Sequence, residues 1–261
     1  MTQLRLVQVD AFADRPFTGN PAAVMPLDEW LDDATLQAIA QENNLSETAF
    51  TVPATDGEAD YELRWFTPTM EVVLCGHATL ASGHVLIEGR DRIRFRTRKA
   101  GMLEVARDGD GYAMSLPAWK PEPRPLPAIV AALGVTPVET FWHPNRYGLV
   151  AVASAAEIHA LEPDFKALAT DGDVLTIVTA PGTETDAVSR VFAPGAGIDE
   201  DPVTGSAHAV LTPYWAGRTG RSAFTFFQAS RRGGRLTGRM AGDRVVLGGR
   251  CATVIEGVMT L

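Results

Sequence analysis

Two short strings constrain this chain more than anything else in it. RWFTP at residues 64–68 and RVFAP at 190–194 share the pattern Arg-x-Phe-x-Pro. Eight residues after the first Pro, Gly76 opens GHATLASGHVLIE; eleven after the second, Gly205 opens GSAHAVLTPYWAG. Further on, TRKAGMLEV at 97–105 is answered by SRRGGRLTG at 230–238, each a basic pair, small residues and a Leu. Three matches in the same order, with offsets of 126 to 133 residues, point to an internal duplication. At 261 residues the chain can hold two units of about 130, each with its own core. Between the halves lies PAWKPEPRPLP, residues 117–127, with five prolines in eleven positions. Proline fixes φ and lacks a donor, so this stretch reads as a stiff, extended connector. The expected organisation is therefore a domain over 1–117, a proline-rich linker over 118–127 and a second domain over 128–261.

Hydrophobic periodicity fills in each half. LRLVQVDAF (4–12), ETAFTVP (47–53), YELRWFTP (61–68) and RIRFRTR (92–98) read as strands, with Ile93 and Phe95 pointing inward. YGLVAVAS, DVLTIVTAP, DAVSRVFAP and CATVIEGV read the same way in the second half. DEWLDDATLQAIAQENN, 28–44, reads as an amphipathic helix that Asp32 or Asp33 can cap. The segment 77–88 is apolar almost all round, which predicts a helix buried inside a curved sheet. Strands wrapped on one apolar helix per half make the fold class α+β.

Net charge is −9, a poor basis for binding nucleic acid or an anionic membrane. The stretch from Arg218 to Arg250 is the exception, with eight Arg against the single acid Asp243; it reads as a solvated basic face or a grip for an anion or another subunit. Two cysteines, Cys75 and Cys251, make no disulfide framework. No run of about 18 apolar residues could span a bilayer, and no secretory segment opens the chain, so the expected location is the cytoplasm.

Ionisable residues gather at the two predicted helix starts. Cys75, Gly76 and His77 lie at the first; Glu200, Asp201, Gly205, Ser206 and His208 lie at the second. A helix N-terminus offers free N–H groups and partial positive charge, which suit a substrate carboxylate and charge developing beside it. Glu47, in NLSETAFTVP, is a carboxylate entering a strand, so it should be exposed, paired or useful. Each residue also has a plain reading: His77 as a satisfied core histidine, Asp201 as a cap, Cys75 as packing, Glu47 as a local hydrogen-bond partner. Cys75, His77 and His84 do not suit one metal ion, because His84 lies about two turns, about 10 Å, from His77. With no dinucleotide, P-loop or zincin motif present, acid–base chemistry by carboxylate and imidazole is the surviving option.

FTGNPAAV (17–24), NNLSETAF (43–50), LRWFTPTMEVVLCGHATLASGHVL (63–86) and EDPVTGSAH (200–208), in this order, strongly resemble the PhzF-like family, the phenazine-biosynthesis isomerases of the diaminopimelate epimerase-like fold. The resemblance covers essentially the whole chain. It implies two pseudo-symmetric domains, each a curled sheet around a central helix, with the active site in the cleft between them; the final strand, 251–258, can return to the first domain. It implies no cofactor and a homodimer. It implies acid–base isomerisation of a small carboxylate-bearing metabolite, in the best-studied case trans-2,3-dihydro-3-hydroxyanthranilate. By motif, Glu47, His77 and Asp201 match the catalytic residues, and Gly76, Gly205 and Ser206 the anion-holding helix starts; Cys75 and His208 are further candidates. Two alternatives stand beside this reading: an amino-acid or hydroxy-acid racemase or epimerase, and a protein that binds a small acid without turning it over. The two-thiol racemases of the wider fold are a poor match, because the second helix start has no cysteine.

Overall fold

The first strand, Gln3–Ala11, draws its neighbours from opposite ends of the sequence. In the computed structural model, which describes residues 1–261, it pairs antiparallel with Asn20–Pro26 and with the final strand, Cys251–Thr260. The chain divides into two compact units: Met1–Ser115 with Gly248–Leu261, and Leu116–Leu247.

Within the first unit, Asn20–Pro26 runs parallel to Glu47–Pro53, which is antiparallel to Tyr61–Phe66. That strand is parallel to Arg92–Thr97, itself antiparallel to Met102–Asp108. The second unit repeats this series. Glu139–His143 is antiparallel to Tyr147–Ala151, which is parallel to Leu175–Pro181. The series continues antiparallel to Ala187–Phe192, parallel to Ala223–Gln228 and antiparallel to Gly234–Ala241. The same alternation of pairings in two stretches of one chain is what a duplication leaves behind. Inside the proline-rich stretch, Glu122–Pro123 pairs with Phe141 and Trp142, and Pro127 opens the helix Pro127–Leu133, where its missing N–H costs nothing.

The repeated Arg-x-Phe motif has a shared geometry. Arg64 makes a two-pronged pair with Glu71 (Nε–Oε1 2.8 Å, Nη2–Oε2 3.0 Å) and lies 4.9 Å from the Phe66 ring. Arg190 does the same with Glu200 (2.6 and 2.9 Å) and sits 5.1 Å from Phe192. In each unit the guanidinium fork ties the end of a strand to the loop that feeds the long helix, while its face covers an aromatic ring.

That helix is Gly76–Leu86 in the first unit, packed against Gln3–Ala11, Asn20–Pro26, Glu47–Pro53 and Met102–Asp108. Burial on all sides requires small residues and satisfied hydroxyls. Thr79 Oγ1 donates to the Cys75 carbonyl (2.6 Å) and Ser82 Oγ to that of Ala78 (2.8 Å). Gly83 lets Val105 approach where a side chain would collide. The second unit's helix, Gly205–Thr219, contains Pro213, which cannot donate to the Ala209 carbonyl one turn back. The N–H of Trp119, from the proline-rich stretch, takes that carbonyl at 3.0 Å instead.

The first amphipathic segment is shorter than its periodicity predicts. The helix runs Asp33–Asn43, because Asp32 accepts from Thr35 N–H and fixes the start there; Leu36, Ile39 and Ala40 are its buried face. Four of the eight arginines of the basic stretch pair with acids elsewhere in the fold: Arg218 with Glu139, Arg221 with Asp186, Arg235 with Glu184 and Arg250 with Asp110. No helix is long and apolar enough to cross a membrane.

Candidate active site

Glu47 owes its position to a helix end. Asn44 takes a left-handed conformation (φ 48°) and closes Asp33–Asn43; three residues later Glu47 begins the strand that runs parallel to Asn20–Pro26. The same parallel pairing sets Asn20 beside the start of the Gly76 helix. There His77, the second residue of the helix, lies buried with its Nε2 3.0 Å from Glu47 Oε2. The approach is close enough for an ion pair, and Glu47 Oε2 is a buried oxygen. On the other side of the ring, Nδ1 lies 3.2 Å from Asn20 Nδ2 and 3.5 Å from Cys75 Sγ. The Asn20 amide can serve either state of the ring, its nitrogen facing a neutral imidazole or its oxygen an imidazolium.

The electrostatics favour the charged ring. Burial disfavours an imidazolium at His77, but the Cys75 sulfur and the Glu47 carboxylate outweigh it and hold the pKa well above the usual histidine range. Burial, reinforced by the Glu47 carboxylate, pushes the Cys75 thiol up to about 11. Near neutral pH the sulfur is therefore uncharged, and Glu47 is the anion acting on His77. Glu47, Cys75 and His77 form one cluster, each with a ligand atom within 4.8 Å of the others. Sequence spacing had suggested Cys75, His77 and His84 as the set to weigh. His84 instead contacts the Tyr112 hydroxyl (3.0 Å) and Thr253 Oγ1 (2.9 Å), and Glu47 stands in its place.

The second unit builds its helix start differently. Asp201 Oδ2 accepts from Thr204 Oγ1, and Gln228, fully buried, ties the loop from behind. Its Oε1 accepts from Thr204 N–H (2.9 Å), while Nε2 donates to the Asp201 carbonyl (2.8 Å) and contacts Thr204 Oγ1 (3.2 Å). His208 Nδ1 donates to the Thr204 carbonyl (2.8 Å), and the ring packs edge-on against Phe226. Burial lowers His208 to about 4, so it is a neutral, fixed ring that braces the helix start. Ser206 hydrogen-bonds Tyr147, whose phenol is raised by burial. Glu200 is committed to Arg190.

The two starts correspond position by position. Cys75 and Thr204 are the N-caps before Gly76 and Gly205, neither using its side chain as a cap. His77 touches Asn20 as Ser206 touches Tyr147, each partner opening its unit's strand Asn20–Pro26 or Tyr147–Ala151. Residue-by-residue reading of the sequence had passed over Asn20, Thr204, Tyr147 and Gln228. Gln228 did carry a signal: in AFTFFQ it occupies the inward position after Phe224 and Phe226, where a polar residue needs a reason.

The PhzC-PhzF family, described as phenazine biosynthesis-like protein, matches residues 9–257. The chain belongs to this family. It is similar to an uncharacterized isomerase of Pseudomonas aeruginosa, 51% identical over 267 residues, covering 99% of this chain and 100% of that protein. Among solved structures, a PhzF-family phenazine biosynthesis protein of Enterococcus faecalis superposes with a TM-score of 0.93 at 42% identity, covering 100% of both chains. A hydroxyproline epimerase of Agrobacterium vitis, at 12% identity and a TM-score of 0.63, covers 98% of this chain and 92% of its own. That likeness is one of fold alone, and it agrees with the diaminopimelate epimerase-like α+β class. The chain is thus an isomerase-type member of the PhzF-like family.

Proposed function

We propose that this protein is a cofactor-independent isomerase that moves a proton between carbons of a small carboxylate-bearing metabolite, with Glu47 as the acid–base residue. The observation carrying this reading is the buried Glu47 Oε2, 3.0 Å from His77 Nε2 at the start of the Gly76 helix. Glu47 as carboxylate takes a proton from a carbon acidified by a neighbouring carboxylate, carbonyl or enamine. The C–H electron pair delocalises into that group. The His77 imidazolium and the free N–H groups at the helix start lower the energy of the charge that develops. Glu47, now a carboxylic acid, returns the proton to a second carbon, and the enzyme ends as it began. Asp201 keeps the catalytic role, and Gly76, Gly205 and Ser206 the substrate-binding roles, that the resemblance gives them. The substrate class includes trans-2,3-dihydro-3-hydroxyanthranilate, the compound of the best-studied family activity, and the expected assembly is a homodimer.

A two-thiol racemase is less well supported. Thr204 stands where a second thiol would match Cys75, and Cys75 is protonated near neutral pH. The test is turnover on a panel of small acids including the dihydro-hydroxyanthranilate. Glu47→Gln should keep its far-UV spectrum and lose at least about 10²-fold in kcat, the usual size of a general acid–base contribution. Unchanged turnover on a substrate of the wild type would refute the role. Saturable binding of one acid with no turnover by the wild type would establish a binding protein instead.

A further inference from the structure

We propose that Asp10 is a positioning residue: its buried carboxylate closes the hairpin loop 12–19 so that Asn20 meets His77 and keeps the ring turned towards Glu47. The consequence for turnover rests on the acid–base reading of Glu47; the positioning does not. Asp10 is fully buried near the end of the Gln3–Ala11 strand, and its Oδ2 accepts from the Phe17 N–H at 2.7 Å. It does not reach the imidazole itself. In the hairpin, Asp10 pairs with Pro21 and Ala11 with Asn20. Neighbours along a strand point to opposite faces, so Asp10 lies on the face away from Asn20 and His77. A carboxylate is costly to bury, but its hydrogen bond to an N–H is stronger than a neutral one, which suits a turn that must not loosen.

The loop is strained where this bond holds it. Phe12 and Phe17 have φ of 56° and 72°, in the left-handed region that bulky residues avoid. Phe17 is 74% exposed, so packing of its ring does not keep it there. Gly19, φ 67°, closes the turn so tightly that a Cβ would stand 2.2 Å from the Ala11 carbonyl oxygen. Strained backbone persists where its surroundings over-determine it, and it clusters at working sites. Asn20 follows at once. Its Nδ2 lies 3.2 Å from His77 Nδ1, and Nε2 of the same ring lies 3.0 Å from Glu47 Oε2. The ring is thus held at both ends. With the Asn20 end released, it can turn about its Cβ–Cγ bond and carry Nε2 off the carboxylate. The face that Asn20 presents depends on the hairpin register, since a slip of one residue turns every side chain over. Asp10, one register position from Asn20, ties loop and register together.

The full-length protein is isotopically labelled at the histidine ring nitrogens for NMR, and the His77 signals are assigned by their loss in His77→Gln. Asp10→Leu removes the acceptor at similar volume, and should shift both ring nitrogens of His77 while those of His208 stay in place. Asn20→Ala should shift the His77 signals too. In the Asn20→Ala background Asp10→Leu should add little, because Asp10 acts through Asn20; a merely structural role would shift them equally in both backgrounds. Asp10→Asn, which keeps a neutral acceptor, should shift them in the same direction by less, and it carries the test if Asp10→Leu does not fold. On a substrate of the wild type, Asp10→Leu should lower kcat by about 10- to 10²-fold with KM little changed, as a displaced catalytic group does. His77 signals that stay in place in a folded Asp10 variant, or shifts undiminished in the Asn20→Ala background, would overturn the positioning. Displaced His77 signals with unchanged kcat would overturn the consequence for turnover alone. Because the ring is read without turnover, failure of the positioning and failure of the acid–base reading remain separate results.

Discussion

Gly83→Ala should destabilise the protein, although alanine is the better helix former. Gly83 lies inside the Gly76–Leu86 helix, and a Cβ there would stand 2.7 Å from Val105 Cβ and 3.0 Å from its Cγ2, closer still to Cγ1. Ordinary carbon contacts are about 3.5–4.0 Å, so about 1 Å of movement is needed. Val105 cannot readily supply it. It is fully buried, β-branched, and held by pairings with Ile93 and Met114 on neighbouring strands. Overpacking of this kind costs about 1–3 kcal/mol, here towards the upper end, against about 1 kcal/mol gained in helix propensity. The net loss is about 1–2 kcal/mol, a fall in Tm of several degrees at about 2–4 °C per kcal/mol. Val105→Ala alone removes two buried methyls at about 0.8 kcal/mol each and leaves a cavity. The double variant places one methyl in the space left by the others, so its loss should fall short of the sum by about 1 kcal/mol or more. Calorimetric scans of the four proteins give this cycle. A neutral or stabilising Gly83→Ala, or strict additivity, would refute a helix seated tightly within its sheet.

Two further expectations follow from the two helix starts. Gln228→Leu strips the acceptor from the buried Thr204 N–H, at about 1–3 kcal/mol for a group left buried and unpaired, and removes the donor to the half-buried Asp201 carbonyl; a Tm within a degree of wild type would show that the amide is not the brace described. His77 has a folded-state pKa raised above its unfolded value near 6.5, so its stabilisation is complete below about pH 6.5 and is lost as pH rises through the higher folded value. Urea midpoints for wild type and Glu47→Gln across that window should converge as pH rises; parallel curves would deny the ion pair.

The duplication was legible because one side chain does two jobs in each half. Arg64 and Arg190 each need a carboxylate and an aromatic ring, which keeps the Arg-x-Phe spacing, while the partners Glu71 and Glu200 lie at different distances along the chain. Strand segments showed in their alternation, as at Ile93 and Phe95, both fully buried. The start at Asp33 was half legible: Asp32 was one of two candidate caps, and the Asp32–Thr35 hydrogen bond decides for it and leaves 28–32 outside the helix although they fit the apolar pattern. The Glu47–His77 contact depends on pairings among strands distant in sequence, which no local periodicity encodes; family motifs pointed to these residues, and the structure supplies the 3.0 Å. Asn20 was hidden for the same reason, since it meets His77 across 57 residues.

The most direct test of Glu47 as the proton-carrying group is incorporation of solvent deuterium. Wild type and Glu47→Gln are incubated in deuterated water with the panel of small acids, and each compound is examined by mass and by proton NMR. Deuterium entering one compound at a carbon position with wild type, and at least about 10²-fold more slowly with Glu47→Gln, is the result expected. Equal incorporation by the two proteins would contradict it.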